Sequence, residues 1–449
     1  MIFKRKIYQQ LLEWKNEGNH NSALLIEGAR RVGKSTIVEE FAKNEYNGNY
    51  LLVDFRKESD YVKSLFNNIK DINDFFRKFF LSQNQELKKG GLIIFDEVQF
   101  CPKARESIKD FIKDGRYDYI ETGSLISIKA NTKDIMIPSE EKRIDMYPMD
   151  FEEFLWAIEN NNSFNLFKEI ISKQDIIDEK LHKYYLDKFR TYMLIGGMPK
   201  VLSTFIETNS FKQANEEKLN ILKLYKDDLR KYDDENNTIC SIIFDSIPSQ
   251  LAKENKRFFI AKATNKKRYS QIEKSLKDLL DFKIIYLVPS TSSLEIPLSI
   301  SIVEDRFKLY FCDTGLLISS LIKMNNESMN KVYESFIKGE YVLNLGSLYE
   351  SIAVQLLINN NNSLFYHKYS LFDNKERKTK QYEIDLVAER DFKIKIIEIK
   401  SSKNYTTSSI DKLNEKYPQL KFNKYVVGIK NIKYEQNKTT LPIYLISYL

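Results

Sequence analysis

The sequence predicts an α/β fold on three observations. The apolar run Ala23-Leu24-Leu25-Ile26 leads into a glycine-bearing loop and then a helical pattern. A second run, Leu92-Ile93-Ile94-Phe95, ends in two acids. Near the C-terminus, Tyr382–Val387 and Ile396–Lys400 alternate as the two strands of a hairpin. Unbroken apolar runs of four belong to strands buried on both faces, as in a parallel sheet, whereas alternation marks strands with one solvated face.

At 449 residues the chain has room for two to four domains of roughly 100–200 residues each. With 27 Tyr, 29 Phe and 42% hydrophobic residues, it can bury far more area than a disordered composition allows. The net charge of +7 is too small to make the whole chain a polycation. Cys101, Cys240 and Cys312 lie too far apart for metal-ligand spacing and are expected as reduced thiols of an intracellular protein. His20, His182 and His367 are too scattered for a multi-histidine zinc site. No apolar run approaches the roughly 18 residues of a membrane span. The basic start, Met1 to Lys6, leads into a mixed amphipathic stretch and not a signal-peptide core. The expectation is a cytoplasmic protein with no membrane partner.

The most informative motif is Gly28-Ala29-Arg30-Arg31-Val32-Gly33-Lys34-Ser35-Thr36, which fits G-x-x-x-x-G-K-[ST] between a strand and a helix (Ser35–Phe41). In that setting backbone N–H groups and a helix N-terminus converge on phosphate oxygens. ATP and Mg²⁺ are the expected ligands. Lys34 is expected at the β- and γ-phosphates, Ser35 on Mg²⁺ and Thr36 near the first phosphates. Asp96 and Glu97, at the end of the second apolar run, fit an Mg²⁺ ligand and a base for the attacking water; alone, the pair also fits a helix cap. After Tyr117–Glu121, Thr122 and Ser124 are candidates to sense the γ-phosphate or the water, or to cap the next helix. Arg143, on a strand around Glu141–Tyr147, could supply positive charge to the transition state, in its own chain or across a subunit contact, or form a surface ion pair.

These motifs resemble the AAA-type P-loop ATPases. More narrowly, the chain resembles a bacterial and archaeal group in which the ATPase module precedes a C-terminal domain of unknown function. The residues behind the narrower resemblance are Gly28–Thr36, Phe95-Asp96-Glu97-Val98-Gln99, Thr122-Gly123-Ser124, Tyr147–Phe154 and Gly196-Gly197-Met198-Pro199. It implies a three-layer P-loop ATPase domain with a helical lid over residues 1–230, the lid helices falling at Phe151–Glu159, Ile176–Met193 and Phe211–Leu229. In the wider family an arginine from a neighbouring subunit completes the site. Arg143 is the nominee here, and a homo-oligomer is one possibility.

Residues 231–330 read as helix Ile239–Ala252, helix Ser270–Leu280, strand Lys283–Val288 and strand Phe307–Cys312. That is the order of a winged helix-turn-helix, which the resemblance also implies. Seven cations (Lys253, Lys256, Arg257, Lys262, Lys266, Lys267, Arg268) against Glu254 suit DNA phosphates, or a solvated face of a protein-docking module. Residues 331–449 hold 19 Lys and Arg against 13 Asp and Glu, nearly all the formal excess, which favours a polyanionic partner. Within them Asp385, Glu398 and Lys400, with Glu350 from a helix, resemble the metal and lysine positions of the PD-(D/E)xK restriction-endonuclease-like α/β fold. Such a set can hold a divalent metal and position water against a phosphodiester; Glu398 and Lys400 would also suit an ordinary solvated strand. The expected function is Mg²⁺-dependent ATP hydrolysis coupled to DNA binding or processing. The alternative is a nucleotide-dependent switch whose C-terminal domains bind a protein.

Overall fold

The computed structural model describes residues 1–17, 21–123, 138–159, 163–233, 238–253, 256–266, 268–322, 333, 336, 345–373 and 376–449. Ser124, Glu254, Lys267 and the expected boundary at 330/331 lie outside the described residues. The chain packs into two units. One comprises residues 1–148 with 227–232 and 281–283, the other residues 149–226, 233–280 and 284–449.

The first unit is built on five strands: β1 (Ala23–Glu27), β2 (Tyr50–Asp54), β3 (Leu92–Asp96), β4 (Asp118–Thr122) and β5 (Glu141–Asp145). All are parallel, in the order β2-β3-β4-β1-β5. Every residue of β1 and β3 is buried, the consequence of apolar runs covered on both faces. A largely aromatic core packs against the sheet. Phe55, Phe66, Phe75, Phe79, Phe95 and Phe111 interlock with ring centroids 5.1–6.3 Å apart. Helix Ile72–Gln83 supplies two of these rings, and the Asp71 side chain caps it by accepting from the Asn73 and Asp74 N–H groups. Because all strands run the same way, the segments leaving β1, β3 and β4 emerge at one edge, where an open parallel sheet places its ligands.

The helices expected as a lid, Phe151–Glu159, Glu179–Ile195 and Phe211–Tyr232 up to residue 226, belong instead to the second unit. Helix Phe211–Tyr232 runs unbroken through residue 230, the boundary expected from sequence. The second unit carries β6 (Ile285–Thr291), β7 (Ile302–Phe311), β8 (Ser363–Asp373), β9 (Lys378–Arg390), β10 (Lys393–Lys400), β11 (Asn423–Gly428), β12 (Lys433–Tyr434) and β13 (Thr439–Pro442). They form one sheet in the order β12-β13-β11-β10-β9-β8-β6-β7. Helix Ile239–Leu251, a short helix Ile260–Thr264, helix Glu273–Asp281 and the antiparallel β6–β7 pair follow in chain order. That hairpin is not free-standing. The second edge of β6 pairs with β8 at Ser290–Tyr366 and Thr291–His367, which satisfies backbone groups that a lone wing would leave to water. One sheet therefore holds strands from both the 231–330 and the 331–449 segments.

The Gly196-Gly197-Met198-Pro199 motif has a packing role inside this unit. The buried Asp313 carboxylate accepts from the Gly197 N–H at 2.6 Å and the Leu316 N–H at 2.9 Å. A Cβ on Gly197 would stand 2.1 Å from the Met149 carbonyl oxygen, so only glycine fits. Lys218, fully buried, donates to the Leu194 carbonyl at 2.6 Å.

Candidate nucleotide site and C-terminal carboxylate cluster

The loop Gly28–Gly33 leaves β1 and turns directly into helix Lys34–Glu45. Arg31 and Gly33 take left-handed backbone angles (φ 72° and 100°), which curls the chain back on itself. Gly33 caps the helix without a side chain, so the first-turn N–H groups face the loop. A Cβ on Gly28 would meet the Met146 carbonyl oxygen at 2.2 Å, so the backbone of the segment after β5 closes against the loop. Arg5 pins the same place, donating to the Val32 carbonyl at 2.8 Å and the Tyr147 carbonyl at 2.7 Å.

Lys34 is buried and donates to the Gly28 and Ala29 carbonyls at 2.9 and 3.0 Å, both within its own loop. Burial lowers its pKa to about 8, against the pull of the Glu97 and Asp96 carboxylates. The Ser35 hydroxyl donates to Asp96 Oδ1 at 2.7 Å, and the Thr122 hydroxyl donates to the same oxygen. β4 lies between β1 and β3, which is how Thr122 at its tip reaches Asp96 at the tip of β3. The Ser35 and Asp96 oxygens are hard donors of the kind Mg²⁺ takes. Glu97 follows in a left-handed conformation (φ 55°, ψ 47°) ahead of the 3₁₀ turn Val98–Phe100. Its side chain accepts from Gln99 Nε2. Thr36, at the start of the helix, is exposed.

Lys34, Ser35, Asp96, Glu97 and Thr122 are thus brought to one sheet edge. Arg143 is placed differently. On β5 it pairs in register with Leu25, its Nε donates to Glu141 at 2.7 Å and a terminal nitrogen lies 3.8 Å from Glu27. Those two carboxylates take the charge that was nominated for the transition state. Two neighbours were missed in the sequence. Asp228 takes Arg30 from 198 residues away, one terminal nitrogen donating to both carboxylate oxygens at 2.8 Å, and no local pattern announces it. Arg56, just past β2, pairs with Asp54 at 2.9 Å and feels Glu97 and Asp96. A strand-end cation beside the strand of Asp96 was the available signal.

In the second unit β9 and β10 run antiparallel with Leu386 opposite Ile397, and one more step of that register sets Asp385 opposite Glu398. Asp385 Oδ2 accepts from the Ile399 N–H at 2.8 Å. Glu398 Oε1 accepts from Lys400 at 2.8 Å and Ser409 at 2.9 Å, while Oε2 is buried with no hydrogen-bond partner among the described residues. Burial, then the charges of Glu398 and Glu350, push the Asp385 pKa up to about 7. Glu350, expected as a third metal ligand, is already engaged. It accepts from Lys308 at 2.9 Å, from Tyr310 at 2.5 Å and from Lys256. Burial alone would raise its pKa, but Lys256 and Lys308 hold it at about 2. Lys308 also pairs with Glu383 at 2.7 Å. Among the described residues no three acidic, histidine or cysteine side chains form a group fit to hold a metal ion. Two of the seven cations nominated for DNA are used internally, Lys256 on Glu350 and Arg257 on Asp305 at 3.1 Å.

Comparison with known proteins assigns the parts unequally. Residues 20–155 match an AAA domain. Residues 186–328 and 345–446 match two domains of unknown function (DUF8612 and DUF4143). An uncharacterized protein of Haemophilus influenzae is 23% identical over 208 residues, and the match spans 45% of each chain. The chain therefore covers less than half the length of that curated relative. Among solved structures, the Walker-type ATPase PABY2304 of Pyrococcus abyssi aligns over 72% of this chain and 96% of its own, at 16% identity and a TM-score of 0.42. C. elegans PCH-2 aligns over 40% and 50%, at 11% identity and a TM-score of 0.23. Among the described residues no helix is long and apolar enough to cross a membrane. The N-terminal part of the chain carries an AAA/P-loop ATPase-like domain.

Proposed function

We propose that this domain binds ATP with Mg²⁺ and hydrolyses it. The observation that carries the reading is the convergence of Lys34, Ser35, Thr122 and Asp96 beside the Gly28–Gly33 loop. Bound Mg²⁺, held by Ser35 and Asp96, would neutralise charge on the β- and γ-phosphate oxygens. Lys34 leaves the two loop carbonyls for the phosphates, an exchange of neutral acceptors for charged ones that favours its ammonium form. Thr122 fixes the Asp96 carboxylate, and Glu97 takes the proton of a water attacking in line with the leaving oxygen. The expected result is loss of nucleotide binding in Lys34→Ala and, in Glu97→Gln, binding with only a slow residual hydrolysis. Unchanged turnover in Glu97→Gln would discard the base assignment.

For the C-terminal part, the buried partnerless oxygen of Glu398 favours a divalent-cation site on Asp385 and Glu398, with Lys400 beside it, over a purely structural strand pair. On this reading the cluster processes DNA in a way gated by nucleotide state, with phosphate contacts from the winged-helix-like segment 231–330. Metal-dependent nicking of plasmid by the wild type, lost in Lys400→Ala, is the expected result. Absence of nicking in both leaves the other reading, a nucleotide-dependent switch that binds a protein partner.

A further inference from the structure

Gln99 stands out in the first unit because it is a polar side chain with no obvious reason to be buried. It is 2% exposed, and its Oε1 is sealed from solvent with no hydrogen-bond partner among the described residues. Leaving a buried amide oxygen unsatisfied is destabilising, and an apolar side chain of the same length would avoid that loss. The other end of the amide is engaged. Nε2 donates to Glu97 Oε2 across the 3₁₀ turn Val98–Phe100.

The backbone supports the same arrangement. Glu97 holds a left-handed conformation that a non-glycine residue adopts only under strain, and such strain persists only where the surroundings over-determine it. The Phe100 N–H donates to the Glu97 carbonyl at 3.0 Å, and the Cys101 N–H donates to the Val98 carbonyl at 3.0 Å. The turn thus sets the Glu97 backbone, and the Gln99 amide sets its side chain. Glu97 directly follows β3, whose tip carries Asp96, so the carboxylate that Gln99 holds lies at the same sheet edge as the loop lysine.

We propose that Gln99 is a positioning residue for hydrolysis: its amide N–H fixes the Glu97 carboxylate in the orientation from which it takes the proton of the attacking water. This rests on the reading of Glu97 as the base. A base held in one orientation has already lost the rotational freedom that a free glutamate would lose in reaching the transition state, so the effect falls on turnover and not on ATP binding. Asp96, Ser35 and Thr122 do not depend on Gln99 for their mutual hydrogen bonds.

The test is a double-mutant cycle on the full chain, with ATP Kd measured by calorimetry and the hydrolysis rate by single turnover. Gln99→Met keeps the volume and removes the amide. The expected result is a rate lower by at least tenfold, with Kd for ATP within twofold of wild type. In a Glu97→Gln background the same substitution should change the rate by less than twofold, because Gln99 acts only through Glu97. A general loss of folded protein would depress the rate equally in both backgrounds, so an equal loss overturns the proposal. Wild-type turnover in Gln99→Met overturns it as well. If Gln99→Met does not fold, Gln99→Leu enters the same cycle under the same criteria. Failure of the base reading shows separately, as wild-type turnover in Glu97→Gln alone.

Discussion

Two hydroxyls and one carboxylate oxygen carry most of the local argument. Ser35 and Thr122 both donate to Asp96 Oδ1, one from the start of the helix that follows the loop and one from the tip of β4. Thr122→Val keeps the shape and removes one donor. A hydrogen bond to a charged group contributes about 1.5–3 kcal/mol, so if the bond matters mainly in the transition state, turnover should fall roughly 10- to 100-fold. Stopped-flow phosphate release with a parallel ATP titration checks this, and the titration should stay near wild type. These residues were legible in the sequence because each belongs to a contiguous motif with a fixed place at a strand end. Their partners were not. Asp228 finds Arg30 across 198 residues, and Lys308 and Tyr310 find Glu350 across 42 and 40. Nothing in a local period records which distant side chain a buried charge will select. Arg143 shows the converse, since its type suited catalysis while its register on β5 gave it to Glu141 and Glu27.

At the scale of elements, apolar runs and alternation located the strands, and glycines marked where backbones touch. The strand runs at β1, β3, β9 and β10 follow directly from residue pattern, but pairing order does not. That β6 would join β8 follows from an edge needing a partner, which a one-dimensional pattern does not name. The helix Ile260–Thr264 was also not anticipated, its five residues being too few for a period to show. The Gly197–Asp313 contact gives the element-level test. Gly197→Ala places a Cβ 2.1 Å from one backbone atom of Met149 and 2.7 Å from another, neither of which can swing aside. A cost at the upper end for single substitutions, about 4 kcal/mol, is expected. Asp313→Asn removes the charged acceptor of the Gly197 and Leu316 N–H groups and should cost about 1–3 kcal/mol. The chain has two tryptophans, Trp14 in the first unit and Trp156 in the second. Urea unfolding followed by Trp156 fluorescence in a Trp14→Phe background reads the second unit alone. An unshifted Trp156 midpoint in Gly197→Ala would contradict the packing account.

Across the molecule, buried charge gives stability a definite pH response. Asp385 is raised to about 7 in the folded chain, by burial first and then by Glu398 and Glu350. Its ordinary value is about 3.9, so the folded state binds the extra proton between those limits. Its contribution is full below about pH 4 and disappears as pH rises through about 7. Glu350 runs the other way. Held at about 2 by Lys256 and Lys308 against burial, it contributes above about pH 4.3, and that contribution is lost as pH falls towards 2. Asp385→Asn should therefore flatten the loss of second-unit stability between about pH 4 and 7, read from urea midpoints. A slope there equal to wild type would exclude Asp385 as its source. The central claim, that the loop at residues 28–36 takes a nucleoside triphosphate beside Asp96 and Glu97, is tested most directly by calorimetric titration of ATP·Mg²⁺ into wild type, Lys34→Ala and Glu97→Gln. Binding by wild type and Glu97→Gln with none by Lys34→Ala is the expected result; equal heats from all three, or none from wild type, would contradict it.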